Sequence, residues 1–122
     1  MSRHNQSFGN RGEELAAAKL SSEGYQLIAR NVHTPFGEID LILKAPSDEW
    51  VFMEVKTRSS ESHGAAEEAI TPAKLEHMTR SAEFWLEAHS ERDSFSRLDV
   101  MAIRYSKDKQ TVLNMKWYKD VG

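Results

Sequence analysis

The sequence predicts an α/β fold in which two helices pack on a mixed sheet of five strands. Two segments repeat their apolar residues at helical spacing, and five shorter runs carry the apolar and β-branched residues typical of strands. These elements follow the order helix, three strands, helix, two strands. A chain of 122 residues can bury a single core, so we expect a flexible polar tail at residues 1–7 and one domain over residues 8–122.

The first helix is predicted over residues 11–23. Asn10 is a candidate N-cap, an alanine run favours helix, and Gly24 suits the C-terminal end. Glu13 lies on the same stripe as apolar residues of this helix, so we expect it to face the protein body. Two interpretations of Glu13 stay open at this point: it completes a capping box with Asn10, or it belongs to a functional site.

Five strands and a second helix complete the prediction. The second helix begins at Pro72, after Thr71 as N-cap, and extends to about residue 90. The turn sequence APSD between the second and third strands predicts an antiparallel hairpin, and SSESHG, residues 59–64, predicts a polar loop. The strands are predicted at residues 25–34, 35–44, 49–58, 97–105 and 111–119.

Charged side chains interrupt the second and third strands. Alternation along GEIDLIL places Glu38 and Asp40 on one face, and apolar residues including Ile39 on the other. In VFMEVKTR, residues 51–58, alternation likewise places Glu54 on one face together with the following lysine and arginine. Each of the two strands therefore has an apolar face and a charged one.

The register of this hairpin decides which charges meet. If Lys44 pairs with Trp50, then Asp40 lies opposite Glu54, and Glu38 lies opposite the lysine of the third strand. Opposed Cβ atoms on antiparallel strands are about 5 Å apart, so the two carboxylates repel each other unless a cation lies between them. One or two carboxylates with open positions for water and phosphate describe how proteins hold Mg²⁺ at phosphoryl-transfer sites.

Lys56, on the same face, is placed to orient an attacking water or to stabilise charge that develops on a phosphorus atom. The alternative from the residue pattern is a solvated strand face, on which Glu54 and Lys56 form a surface ion pair. The apolar residues on both sides of Asp40 in IDLIL argue against that alternative, because a doubly buried strand rarely carries a carboxylate.

Several motifs together resemble a known family. Asp40 followed by Glu54-Val55-Lys56 on the next strand matches the degenerate PD-(D/E)xK nuclease signature. The wider set resembles the YraN-like family of small bacterial proteins, whose fold is similar to that of archaeal Holliday-junction resolvases and other restriction-endonuclease-like nucleases. The motifs of this wider set are RGEELAA, GYQLIARN, FGEIDLI, VFMEVKTR, HGAAEEAITPAK and RLDV.

The resemblance implies an αβββαβ core of the restriction-endonuclease-like type. It implies a metal site at Asp40 and Glu54, with Mg²⁺ or Mn²⁺ as the cofactor. It also implies a catalytic set of Asp40, Glu54, Lys56 and Glu13. Glu38 belongs to the family's GEID motif, and the resemblance gives it no role.

Basic residues near the predicted site are candidates for nucleic-acid binding. Arg58 extends the charged face of the third strand, Lys74 lies at the start of the second helix, and Arg30 lies near the end of the first strand. Each is also consistent with an ordinary solvated side chain. Asp99 is expected to pair with Arg97 or another neighbour.

Composition restricts the function classes. The formal net charge of −3 argues against a wholly basic nucleic-acid-binding surface, and the absence of cysteine excludes thiolate chemistry. No membrane span or secretory signal is recognisable, so we expect a cytoplasmic protein. The expected function is a metal-dependent endonuclease acting on DNA, with branched or structured DNA as a candidate substrate. The alternatives are an inactive nucleic-acid-binding module and a protein-interaction domain, and a homodimer remains open.

Overall fold

A computed structural model describes residues 7–59 and 70–122, and within them two helices and five strands follow the predicted order. The elements are α1 (Phe8–Ser22), β1 (Gln26–Thr34), β2 (Gly37–Lys44), β3 (Trp50–Ser59), α2 (Pro72–Ala88), β4 (Ser96–Tyr105) and β5 (Val112–Tyr118). Apart from Ser7 and Ser59, the predicted tail at residues 1–7 and the predicted loop at residues 59–64 lie outside the described residues. In the described ranges, no helix is long and apolar enough to cross a membrane.

The five strands form one mixed sheet in the order β1-β2-β3-β4-β5. Neighbouring strands are antiparallel except for β3 and β4, which are parallel and are connected through α2. The β2–β3 hairpin has the predicted register, because Lys44 pairs with Trp50. The α/β fold class is therefore confirmed, and the architecture is consistent with a restriction-endonuclease-like core.

The two helices cover opposite faces of this sheet. The α1-side cluster is formed by buried residues of α1, β2, β3 and β4, and the α2-side cluster by buried residues of α2 and the same strands. The α1-side cluster includes Ala16, Leu20, Leu41, Leu43, Val51, Met53, Met101 and Ile103. The α2-side cluster includes Ile39, Ile42, Phe52, Met78, Trp85, Leu98 and Val100. Burial of both faces explains the continuous apolar runs in the central strands.

The start of α1 differs from the prediction. The helix begins at Phe8, and Ser7 is its N-cap, whose Oγ accepts a hydrogen bond from the backbone N–H of Asn10 at 3.0 Å. Asn10 was predicted as the cap but lies in the first turn, because the Ser7 hydroxyl satisfies its amide from one turn earlier. The capping-box interpretation of Glu13 is therefore wrong.

Strict alternation along β2 was also wrong at one position. Ile39 packs in the α2-side cluster together with Ile42, whereas Leu41 packs in the α1-side cluster. Opposite this point in β1, Asn31 adopts a positive φ of 51°. This left-handed residue interrupts the regular pleat. Around Asp40, the side chains of β1 and β2 therefore no longer alternate strictly between the two faces of the sheet.

Gly12 sets how closely α1 approaches β3. An added Cβ at this position would overlap the Cγ2 methyl of Thr57. We expect Gly12→Ala to lower the free energy of unfolding by about 1–3 kcal/mol, because the overlap must be relieved by a shift of packed groups. Urea denaturation measures this loss, and Gly12→Ala combined with Thr57→Ser, which removes the methyl, should recover most of it. A double variant as unstable as Gly12→Ala alone would contradict this explanation.

Candidate active site

Asp40 lies where β2 and β3 separate. The pairing of the two strands ends at Leu41 and Met53, and beyond this pair the Asp40 Oδ2 accepts a hydrogen bond from the backbone N–H of Val55 at 2.8 Å. The predicted backbone pairing of Asp40 with Glu54 is therefore replaced by a side-chain contact one residue further along β3.

The environment of Asp40 disfavours its charged form. Burial, which is the largest cause, and the charges of Glu54, Glu13 and Glu38 together raise the pKa of this carboxyl to about 7, against the opposing effect of the Val55 N–H. The three glutamates act on Asp40 from β3, α1 and β2. The structure therefore brings the predicted acidic residues close enough to interact electrostatically.

Glu54 is only 8% exposed and is held by two lysines. The ammonium groups of Lys56 and Lys74 lie 2.9 Å and 3.1 Å from the same oxygen, Glu54 Oε2. Lys74 reaches the site because Thr71 caps α2 and accepts a hydrogen bond from the Lys74 backbone N–H at 3.1 Å. Lys74 was predicted as a phosphate-binding residue, and its contact with Glu54 was not predicted.

Glu13 faces inward as predicted and is 9% exposed, whereas Glu14 is exposed. Its Oε1 lies 3.4 Å from Nη2 of Arg30, which comes from β1. The Arg30 Nε is buried and has no hydrogen-bond partner within residues 7–59 and 70–122. A buried donor without a partner is costly, so this guanidinium retains a hydrogen-bonding capacity that an anionic ligand or a water molecule can use.

Two predicted residues lie further from the centre. Glu38 is exposed and lies opposite His33 of β1, with 3.6 Å between His33 Nε2 and Glu38 Oε2. The predicted pairing of Glu38 with Lys56 is not made, because the β2–β3 ladder ends before it. Arg58 is half-buried near the end of β3, where its Nη1 donates to the backbone carbonyl of Thr57 at 3.0 Å.

The residues present fit a hard divalent cation in ligand type and in charge. Asp40 and Glu54 offer carboxylate oxygens, and a cation between carboxylates relieves the repulsion that contributes to the raised pKa of Asp40. Within residues 7–59 and 70–122, no three His, Asp or Glu side chains are grouped closely enough to hold a metal ion by themselves.

Comparison with known proteins identifies a family, but the family's name gives no activity. Residues 12–103 match the model of "Uncharacterised protein family UPF0102". A UPF0102 protein from Corynebacterium diphtheriae is 42% identical over 118 residues, covering 97% of this chain and 93% of its own. One from Pelobacter propionicus is 40% identical over 100 residues, covering 81% and 71% of the two chains. One from Bifidobacterium longum is 42% identical over 98 residues, covering 79% of each.

Proposed function

The chain belongs to the uncharacterised protein family UPF0102, and from its site we propose that it is a metal-dependent nuclease that hydrolyses phosphodiester bonds in DNA. The proposal places it in the PD-(D/E)xK superfamily, with Mg²⁺ or Mn²⁺ as cofactor and branched or structured DNA as the candidate substrate. The observation that carries the proposal is the fork between β2 and β3. There the charges of Glu54 and Glu13 raise the pKa of the Asp40 carboxyl, and the ammonium of Lys56 contacts Glu54.

The chemistry required at this fork is simple. Asp40 and Glu54 would hold the divalent cation, which would supply Lewis-acid polarisation of a phosphodiester oxygen. The attacking water forms a new P–O bond and gives up one proton to solvent, while one ester P–O bond breaks and its leaving oxygen takes up a proton from solvent. Lys56 carries a positive charge toward the phosphorus and provides N–H donors that can orient the attacking water.

Arg30 and Glu13 support this arrangement from the other side of the fork. Glu13 holds the guanidinium of Arg30 through Nη2, and the buried Arg30 Nε is available as a further donor. A guanidinium with an unused donor is suited to a phosphate oxygen. This unused donor supports Arg30 as a nucleic-acid-binding residue, a role that we also propose for Arg58 and Lys74.

Removal of the site's charged groups tests the proposal. We expect Glu54→Gln and Lys56→Ala to reduce Mg²⁺-dependent cleavage by roughly 10²- to 10⁴-fold, because each removes a metal ligand or a transition-state charge. Cleavage is measured on a panel of linear and branched DNA and of RNA, with Mg²⁺, with Mn²⁺ and with a chelator.

Glu23→Gln is the matched control, because Glu23 is exposed and forms an ion pair with Lys19 at 2.9 Å. Its cleavage rate should equal that of the wild type. If the wild type cleaves in the presence of chelator, or if Lys56→Ala cleaves as fast as the wild type, the proposed assignment is wrong.

One observation favours a second function, that of a nucleic-acid-binding module without catalysis. Two lysine ammonium groups already compensate the charge of Glu54, so this carboxylate does not require a metal for neutralisation. This alternative predicts DNA binding that weakens as salt rises, with no turnover in either metal. The same substrate panel separates the two functions.

A further inference from the structure

Part of the sheet on the α2 side extends beyond the apolar core. Phe52 and Leu98 are paired in the parallel β3–β4 ladder and both pack in the α2-side cluster. Glu54 and Val100 form the next pair of this face, two residues further along each strand. Glu54 therefore lies between the apolar core under α2 and the part of this face that β3, β4 and β5 form beyond that core.

Six positions make up this part of the face, in two rows across three strands. Residues 56, 102 and 116 are neighbours in the first row, and residues 58, 104 and 114 are neighbours in the second. We call these six positions the cationic platform, and they are Lys56, Ala102, Lys116, Arg58, Arg104 and Asn114. Four of the six side chains are cationic and none is acidic. Lys116 and Asn114 are exposed, and Arg58 and Arg104 are half-buried.

The opposite face of the same strands has a different composition. Thr57, Ile103 and Met115 alternate with the platform residues, and the last two pack in or against the α1-side cluster. In this part of the three strands, the cationic side chains therefore lie on one face of the sheet. Arg58 and Arg104 are direct partners across β3 and β4, so two arginines are neighbours in the second row.

We propose that the cationic platform binds the phosphate backbone of a nucleic acid, which passes from the Asp40–Glu54 fork across β3 and β4 to β5. This inference rests on the proposed function, because it takes the ligand of the fork to be a nucleic acid. Neighbouring strands lie about 4.8 Å apart, so the platform spans about 10 Å from β3 to β5. With one phosphate for about every 3.4 Å of rise along a strand, that width accommodates on the order of three phosphates.

The platform adds Arg104 and Lys116 to the candidate phosphate-binding residues. Arg104 is oriented across the strands by its Nη1, which donates to the backbone carbonyl of Ser59 at 3.3 Å. Lys116 extends the row begun by Lys56 to the edge strand β5. Both lie outside the fork that holds Asp40 and Glu54, so their contribution can be measured without catalysis.

The test is the salt dependence of binding to a fluorescently labelled DNA duplex, measured by anisotropy in chelator for the full chain. For the double variant Arg104→Gln, Lys116→Gln, the slope of log K against log salt should become shallower by about 1.8, since each lost phosphate contact removes about 0.9. Affinity at low salt should fall roughly tenfold to a hundredfold. Lys116→Gln alone, at an exposed position, should remove about half of the change in slope.

The control variant Lys19→Gln, Arg80→Gln loses the same formal charge from exposed helix positions, where each cation pairs with a glutamate four residues away. Its slope should match the wild type. A platform variant with the wild-type slope, or a control that loses as much as the platform variant, would overturn the inference. A shallower slope in the platform variant when the wild type cleaves nothing would support the platform and contradict the nuclease. Metal-dependent cleavage with an unchanged platform slope would do the reverse.

Discussion

Asp40→Asn should stabilise the protein at pH 8 in the presence of chelator. The pKa of Asp40 is raised from 3.8 to about 7 in the folded state. The stability that protonated Asp40 contributes to the fold is therefore fully present below about pH 3.8 and is lost as pH rises through about 7. A shift of about three pKa units corresponds to about 4 kcal/mol as an upper value, and we expect a gain of about 2–4 kcal/mol. The asparagine oxygen can still accept the hydrogen bond from Val55.

Urea unfolding of both proteins between pH 4 and pH 8 measures this gain. The difference in free energy of unfolding should be small at pH 4 and should grow until about pH 7. Added Mg²⁺ should stabilise the wild type and leave Asp40→Asn unchanged, because a ligand stabilises only the state that binds it. A variant less stable than the wild type at pH 8, or a stability difference independent of pH, would show that the folded protein does not disfavour the charged form of Asp40.

Asp99→Ala should destabilise the protein by about 3–5 kcal/mol, because it leaves buried charged and polar donors without their acceptor. Asp99 is fully buried on β4, and its oxygens accept from Arg97 Nε at 3.0 Å, Trp117 Nε1 at 2.8 Å and the backbone N–H of Asp120 at 3.0 Å. Burial lowers the pKa of Arg97, but hydrogen bonds to Asp99 and Tyr25 more than offset this effect and raise it. One carboxylate thus connects β4 to β5 and to the residues that follow.

Glu49→Ala provides the matched comparison. Glu49 also contacts Arg97, with 3.2 Å between its Oε1 and Arg97 Nη1, but its side chain is 31% exposed. Its loss should cost less than about 1 kcal/mol, as for ion pairs in contact with water. Chemical denaturation of the two variants under the same conditions gives the comparison. Equal effects of Asp99→Ala and Glu49→Ala would show that burial of the pair does not determine its contribution.

Local signals in the sequence were sufficient for much of the fold. The Thr71–Pro72 start of α2 was confirmed because capping chemistry acts within one turn. The register of Lys44 with Trp50 was confirmed because the turn is short and each of the two strands has an apolar face to bury, which permits few other registers. The expected pairing of Asp99 with Arg97 was also confirmed, since the two side chains lie on the same face of one strand.

The finer geometry of the site depended on long-range contacts that periodicity does not encode. Asp40 departs from the ideal ladder because Asn31, on another strand, adopts a left-handed conformation and because β2 and β3 separate there. Lys74 and Glu54 come from α2 and β3, and no local pattern in the sequence specifies this contact between the two elements. The Trp117 contact to Asp99 likewise required knowledge of the β4–β5 pairing.

The most direct measurement is a crystal structure of the protein soaked in Mn²⁺, with anomalous difference density calculated at the manganese edge. We expect a peak between the carboxylates of Asp40 and Glu54, with at least one lysine ammonium displaced from Glu54 Oε2. The same soak of Asp40→Asn should lose the peak. Wild-type density that lacks a peak at the fork, with Lys56 and Lys74 still on Glu54, would contradict the account.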